Sequence, residues 1–381
     1  MTSMPDHAAF PAYDFSAYES LENDALTQRI HQVRRSMGSR LLILGHHYQQ
    51  DAVIALSDLR GDSYQLASLA ASHDECRAIA FCGVHFMAET ADILANRPER
   101  LAQRGGERVS VILPDLAAGC SLADMADIRQ VEDCWRQLAD VIDTDDVMPI
   151  TYVNSAAELK AFCGRRGGIV CTSANARAAL DWAFARRSRV LFFPDQHLGR
   201  NTAKAMGVSL EQMPLWDPLK DELGGNTPDT IRHSRVILWQ GDCSVHQRFL
   251  PQHVMYFREK YPGIKIIVHP ECSMEVVDMA DVVGSTGRII LAVEQSPPGT
   301  RWAIGTELHL VNRLKNEHPE QEIHVLSTMA CTCATMSRID LPHLCWALEN
   351  LAAGTPVNVI QVAPETSRWA LESLKRMFEV K

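Results

Sequence analysis

Leu41-Leu42-Ile43-Leu44-Gly45-His46-His47-Tyr48 is an apolar run that ends abruptly in polar and aromatic residues. Near-continuous apolar character marks a strand covered on both faces, as in a parallel sheet. The same kind of run recurs at Ala78-Ile79-Ala80-Phe81, Val190-Leu191-Phe192-Phe193, Lys265-Ile266-Ile267-Val268 and Arg301-Trp302-Ala303-Ile304. Helical periods lie between these runs. In the last of them Ala370, Leu371, Leu374, Met377 and Phe378 share one face. The chain reads as α/β, built from right-handed βαβ units.

A weak internal repeat extends this reading. Leu44-Gly45-His46-His47-Tyr48 is matched by Thr151-Tyr152-Val153-Asn154 and by Val268-His269-Pro270-Glu271. Gly61-Asp62-Ser63 is matched by Cys171-Thr172-Ser173 and Gly284-Ser285-Thr286, each opening a helix. Ser63, Ser173 and Ser285 are 110 and 112 positions apart, and the strand ends Cys82, Phe193 and Ile304 are 111 and 111 apart. The expected architecture is three homologous three-layer α/β units. Residues 1–37 form an N-terminal tail and helix. Residues 38–120 form the first unit, completed by C-terminal helices within 334–381. Residues 121–243 form the second, with an insertion near 210–228 that reads as a long loop or linker, and 244–333 form the third. Ligands of open α/β sheets bind beyond the carboxyl ends of the strands. Three units facing one axis would gather those ends in one central cavity.

Three apolar strands, Val111–Leu113, Val236–Trp239 and His324–Leu326, lead into Ala-Gly-Cys120-Ser, Gly-Asp-Cys243-Ser and Cys331-Thr-Cys333-Ala-Thr-Met336. Their spacing matches no local Cys-x-x-Cys signature. Their equivalence in the repeat is what points to a shared metal. Three thiolates on a cubane cluster leave the fourth iron without a protein ligand, so it can act as a Lewis acid. Cys333 is favoured over Cys331 as the third ligand because Met336 completes a Cys-x-x-Met pattern. Cys331 is left as a packing residue or spare thiol. Cys76, Cys82, Cys134, Cys163, Cys171, Cys272 and Cys345 sit in apolar or helical contexts and read as buried structural thiols.

His46, Tyr48, Tyr152, Asn154, His269 and Glu271 all follow apolar strands. Any one of them alone is more simply a helix cap; six at equivalent strand ends point to a shared site. His and Glu would move protons, and Tyr would donate to a developing oxyanion. Ser63, Ser173, Ser285 and Thr286 are natural N-caps. Helix N-termini also bind anions, so three converging ones suit a substrate with several carboxylates or a phosphate. His197, His246 and Glu307 are weaker candidates: His197 and Glu307 are equally at home at a helix entry, and His246 follows Cys243 by one helical turn, where it could touch the metal or the substrate.

The chain has 381 residues, is 46% hydrophobic and 22% charged, and carries a net charge of −10. That balance disfavours nucleic acid and anionic membranes as partners. No apolar run approaches the ~20 residues that span a bilayer. Met1 to Ser20 lacks the charged-then-apolar pattern of a secretory signal. Eleven cysteines then fit reduced thiols in the cytoplasm. Glycine-rich phosphate loops are absent, so no nucleotide is expected.

Gly45-His46-His47-Tyr48-Gln49, Gly61-Asp62-Ser63, Gly83-Val-His-Phe-Met87-Ala-Glu-Thr, Tyr152-Val-Asn154-Ser, Trp239-Gln-Gly-Asp-Cys243-Ser-Val-His246, His269-Pro-Glu271 and Val283-Gly-Ser-Thr286 together resemble the quinolinate synthase family, over about Leu41 to Leu351. The segment from Cys331 to His343 resembles the longer form of that family. The resemblance implies three similar α/β domains around a pseudo-three-fold axis with a central active site. It implies a [4Fe–4S] cluster on Cys120, Cys243 and Cys333 with one open iron. It implies condensation of iminoaspartate with dihydroxyacetone phosphate to quinolinate, in de novo NAD synthesis. His46, Ser63, Tyr152, Asn154, Ser173, His269, Glu271 and Thr286 would line the substrate site, with Ser285 beside them. Tyr48, His269 and Glu271 would be catalytic, Tyr48 in proton transfer. L-aspartate oxidase would be a functional partner, supplying iminoaspartate. Some members carry Cys-x-x-Cys-x-x-Cys near the third ligand. The spacing Cys331-x-Cys333 departs from that pattern and puts a redox disulfide there in doubt. The alternatives are a radical-type [4Fe–4S] enzyme of the same architecture, and a non-enzymatic iron–sulfur sensor or dicarboxylate-binding protein.

Overall fold

The computed structural model describes residues 12–70, 72–73, 75–329 and 332–380. Cys331 and the first eleven residues of the expected N-terminal tail lie outside the described residues.

The apolar runs form three separate sheets. The first contains β1 (Leu41–His46), β2 (Leu59–Gly61), β3 (Ala78–Cys82), β4 (Ser110–Ile112) and β14 (Val359–Ile360), in the order β14-β4-β3-β1-β2. The second contains β5 (Val147–Tyr152), β6 (Ile169–Cys171), β7 (Arg189–Phe193), β8 (Leu215–Trp216) and β9 (Val236–Trp239), in the order β6-β5-β7-β9-β8. The third contains β10 (Lys265–Val268), β11 (Val282–Val283), β12 (Arg301–Gly305) and β13 (Glu322–Val325), in the order β11-β10-β12-β13. Without β8 and β14, each sheet has its second strand at an edge, then its first, third and fourth. All those pairings are parallel. Every residue of β1, β5 and β9 is buried, which is why these strands carry no polar alternation.

The segment 210–228 corrects the expectation of a plain loop. Leu215 and Trp216 form β8 and pair with Leu238 and Trp239 at the edge of the second sheet. Trp216 is 2% exposed and packs where a Cβ on Gly224 would lie 2.6 Å from its ring. Gly224 also has φ of 60°, a conformation glycine adopts at least cost. Two apolar residues among Pro, Gly and Asp are too few to show a strand period.

The terminal segments brace the sheets. The helix Asn23–Met37 packs on the helix Leu341–Ala352, and Arg29 holds Glu349 through both carboxylate oxygens beside the Tyr18 hydroxyl. The helix Pro364–Glu379 buries Ala370, Leu371, Leu374 and Met377 and packs mainly on the helix Ala157–Arg165 and β6 of the second sheet. The two helices approach so closely that a Cβ on Gly164 would lie 1.9 Å from the Trp369 carbonyl oxygen. Among the described residues no helix is long and apolar enough to cross a membrane.

Candidate active site and metal centre

The carboxyl ends of strands from all three sheets meet at one cavity, of about 700 Å³ including its open mouth. The first sheet contributes His46 at the end of β1 and Tyr48 after it, Ser63 after β2, Phe86 and Met87 after β3, and Cys120 after β4. The second contributes Tyr152 at the end of β5 and Asn154 after it, Ser173 after β6, and Cys243 and His246 after β9. The third contributes His269 and Glu271 after β10, Thr286 after β11, and Cys333 and Met336 after β13. Of the residues nominated from the repeat and the family resemblance, Ser285 is absent from the wall. Its Oγ accepts from the Arg288 N–H and caps the helix Thr286–Glu294.

Three helix N-terminal regions reach this wall. Ser63 is the first residue of the helix Ser63–Ala70, Thr286 begins the helix Thr286–Glu294, and Ser173 lies just before the helix Ala176–Phe184. Their free N–H groups and dipoles favour anionic groups on a ligand. Asn154 Oδ1 and Glu271 Oε1 are buried without a hydrogen-bond partner. Such atoms are costly unless a ligand or water satisfies them.

One polar cluster occupies the third-sheet side. Glu271 Oε2 lies 2.8 Å from His246 Nδ1 and 3.8 Å from His269 Nδ1. Burial alone would raise the Glu271 carboxyl, but the two imidazoles and the Tyr152 hydroxyl outweigh it and hold the group below the usual carboxylate range. Burial pushes His46 down to about 3, so its imidazole is neutral, and lowers His269 against the attraction of the Glu271 carboxylate. Burial raises Tyr48 and Tyr152, so both keep their proton. The Tyr48 hydroxyl sits 3.0 Å from Thr286 Oγ1 and 2.8 Å from Thr306 Oγ1. Thr306 Oγ1 in turn lies 3.4 Å from His246 Nε2.

Cys120, Cys243 and Cys333 all open onto the cavity. Burial pushes the Cys120 thiol up to about 12 and likewise raises Cys243, with Glu271 adding to both shifts. Buried thiols of this kind stay protonated unless a cation supplies compensating charge. A sulfur-only set of three fits an iron–sulfur cluster better than a hard cation. The donor atoms of Cys243, His246 and Glu271 also lie within 4.8 Å of one another. Within this trio His246 and Glu271 are engaged with each other, at 2.8 Å, beside the Cys243 thiol.

His246, a weak candidate in the sequence, is 1% exposed and central to the cluster. Glu307 proved to be an N-cap, although its Oε1 also accepts from the Cys333 N–H at 3.4 Å. His197 is not on the wall. Thr306 escaped sequence reasoning as a site residue; its position just past β12, like those of His46 and His269 at their strand ends, was the available signal. Asn201 also escaped it. This buried side chain, on the helix Gln196–Ala205, donates to the carbonyls of Pro270 and Cys272, both at 2.9 Å, on either side of Glu271.

Comparison with known proteins adds an independent line. The family model described as quinolinate synthetase A protein matches residues 28–379. The chain is 66% identical to the quinolinate synthase of Rhodopirellula baltica over 364 residues, 96% of this chain and 93% of that protein. It is 50% identical to that of Corynebacterium glutamicum over 377 residues, 99% and 93% of the two chains. It is 51% identical to that of Geobacillus kaustophilus over 363 residues, 95% of each.

Proposed function

The chain belongs to the quinolinate synthetase A family, and from that premise we propose that it condenses iminoaspartate with dihydroxyacetone phosphate to quinolinate. The products are quinolinate, phosphate and two waters, so atoms balance without an oxidant. The observation that carries the reading is the meeting of Cys120, Cys243 and Cys333 with Tyr48, His269 and Glu271 in one cavity. The three cysteines would hold a [4Fe–4S] cluster. When bound, it supplies a Lewis-acidic iron that lacks a protein ligand.

The remaining work falls to the chain's own groups. Ser63, Ser173 and Thr286, at or near helix N-termini, bind the phosphate and carboxylates of the substrates. Asn154 Oδ1 accepts from the imine nitrogen. Glu271 is held ionised and is the base that takes a carbon-bound proton; His246 and His269 keep it oriented. Tyr48, protonated at rest, gives its phenolic proton to one substrate oxygen and takes one back from another during isomerisation and ring closure. His46 packs its neutral ring edge-on against Tyr48, with centroids 4.8 Å apart, and fixes the phenol.

We also put forward 38–120 with 334–381, 121–243 and 244–333 as three homologous units about one axis; the shared strand order supports the three units, while the helix Pro364–Glu379 of the C-terminal segment packs mainly on the second. The insertion near 210–228 adds β8 to the second unit. Iminoaspartate hydrolyses in water, so an enzyme that oxidises aspartate, L-aspartate oxidase, is its natural source. The free thiols of the described cysteines fit a cytoplasmic setting and a role in NAD synthesis.

The test is anaerobic purification followed by an assay for quinolinate from the two substrates. Brown protein with ~4 iron per chain and oxygen-sensitive activity is expected. An active protein free of iron would overturn the reading.

A further inference from the structure

Tyr48 stands in a short turn between β1 and the next helix, and the carbonyls on either side of it are taken by one side chain from another sheet. Arg313, on the helix Leu308–Glu317 of the third sheet, donates Nη1 to the His47 carbonyl at 3.0 Å and Nη2 to the Gln49 carbonyl at 2.8 Å. Its Nε reaches Asp51 Oδ1 at 3.0 Å. Arg313 is 7% exposed and does not line the cavity. The Tyr48 hydroxyl meets Thr286 and Thr306, also of the third sheet. Backbone and hydroxyl of one residue are thus both referenced to the same neighbouring sheet. The turn passes that reference on: Gln49 Nε2 donates to the Met336 carbonyl at 3.0 Å and Gln50 Nε2 to the Ser337 carbonyl at 2.8 Å, in the segment just after Cys333.

We propose that Arg313 is a positioning residue, whose guanidinium fixes the Tyr48 turn to the third sheet and so sets Tyr48 against the cavity. The inference rests on the reading of Tyr48 as catalytic. A guanidinium suits the task because its rigid fork serves two carbonyls and a carboxylate at once, whereas an ammonium is a point donor. The side chain of Asp51 is 57% exposed, so that ion pair is well solvated and the carbonyl bonds do the positioning.

The test compares cluster-loaded, full-length R313K and D51N with the parent protein. R313K should keep its iron and visible absorbance. Its kcat should fall about 10²-fold, because misplacement of a reacting group by an ångström costs that much. KM for both substrates should stay within about threefold, as expected when only transition-state geometry is lost. Hydrogen exchange across residues 45–51 should speed up in R313K, and D51N should match the parent in rate and exchange. If R313K does not fold, R313Q, which keeps an amide donor, is read by the same criteria. Unchanged exchange at 45–51, a kcat within about twofold of the parent, or a D51N loss equal to that of R313K overturns the proposal. A parent protein that forms no quinolinate overturns the functional reading instead, and the exchange measurement then decides on Arg313 alone.

Discussion

His246 and His269 lie face to face, with ring centroids 4.5 Å apart and planes 16° from parallel. Glu271 lies within 4 Å of an Nδ1 on each ring. Buried ionised carboxylates need such partners, because an unpaired charge away from water is costly.

Replacing Glu271 with Gln keeps the shape and removes the charge. Quinolinate formation should fall ~10²- to 10⁴-fold, the range for loss of a general base. Iron per chain should be unchanged. Loss of iron together with activity would place Glu271 among the metal's ligands instead.

Cys120→Ala, Cys243→Ala and Cys333→Ala should each abolish the visible absorbance of the anaerobic protein and its activity. Cys134→Ala, in the core beside Val131 and Leu138, should keep both and cost about 1 kcal/mol of stability. Iron analysis with thermal unfolding separates the two classes. Retained iron in any of the first three would remove that residue from the ligand set.

Much of this arrangement was legible in the sequence because strands and their polar ends repeat. Leu41–Leu44, Val190–Phe193 and Lys265–Val268 announce buried strands, and β1, β7 and β10 contain them. His46, Tyr152 and His269 announce a common site by position. The supports were not legible. Asn201 and Arg313 are polar residues on amphipathic helices, where polarity normally means solvent. Each faces a loop of a different sheet, and no local period encodes that contact. β8 was missed for a different reason, since Leu215 and Trp216 are too short a run to register.

Tyr48→Phe removes only the hydroxyl that sits between Thr286 and Thr306. The ring should stay against His46, so folding and iron content should match the parent. Activity should drop ~10²-fold, the lower range for loss of a proton-transferring group. Steady-state assay of quinolinate, with iron analysis alongside, checks this; an unaffected kcat would leave Tyr48 a packing residue.

Acid should unfold the protein early. Burial lowers His46 and His269 to about 3 and His47 and His197 to about 4. The unfolded chain takes up protons at these histidines near pH 6.5, while the folded one does not. Stability is therefore full above that pH and declines as pH falls toward 4. Each histidine adds a slope approaching about 1.4 kcal/mol per pH unit. Denaturant midpoints between pH 7 and pH 4.5 measure the decline. A flat profile would mean that these imidazoles are solvated or charged in the native state.

The antiparallel strand β14 has a consequence for biogenesis. It lies on β4, so the first sheet, opened by Leu41, is closed only by Val359 and Ile360. The Asp115 carboxylate, in the loop before Cys120, likewise waits for Arg338, just past Cys333, which it meets at 2.7 Å. On the ribosome, where folding proceeds from the N-terminus, the first two sulfur positions emerge long before their third partner. On the reading proposed above, cluster loading would therefore wait until the whole site has been made. A chain stalled ahead of Cys333 lacks the third thiol and leaves the β4 edge of the first sheet without its β14 partner.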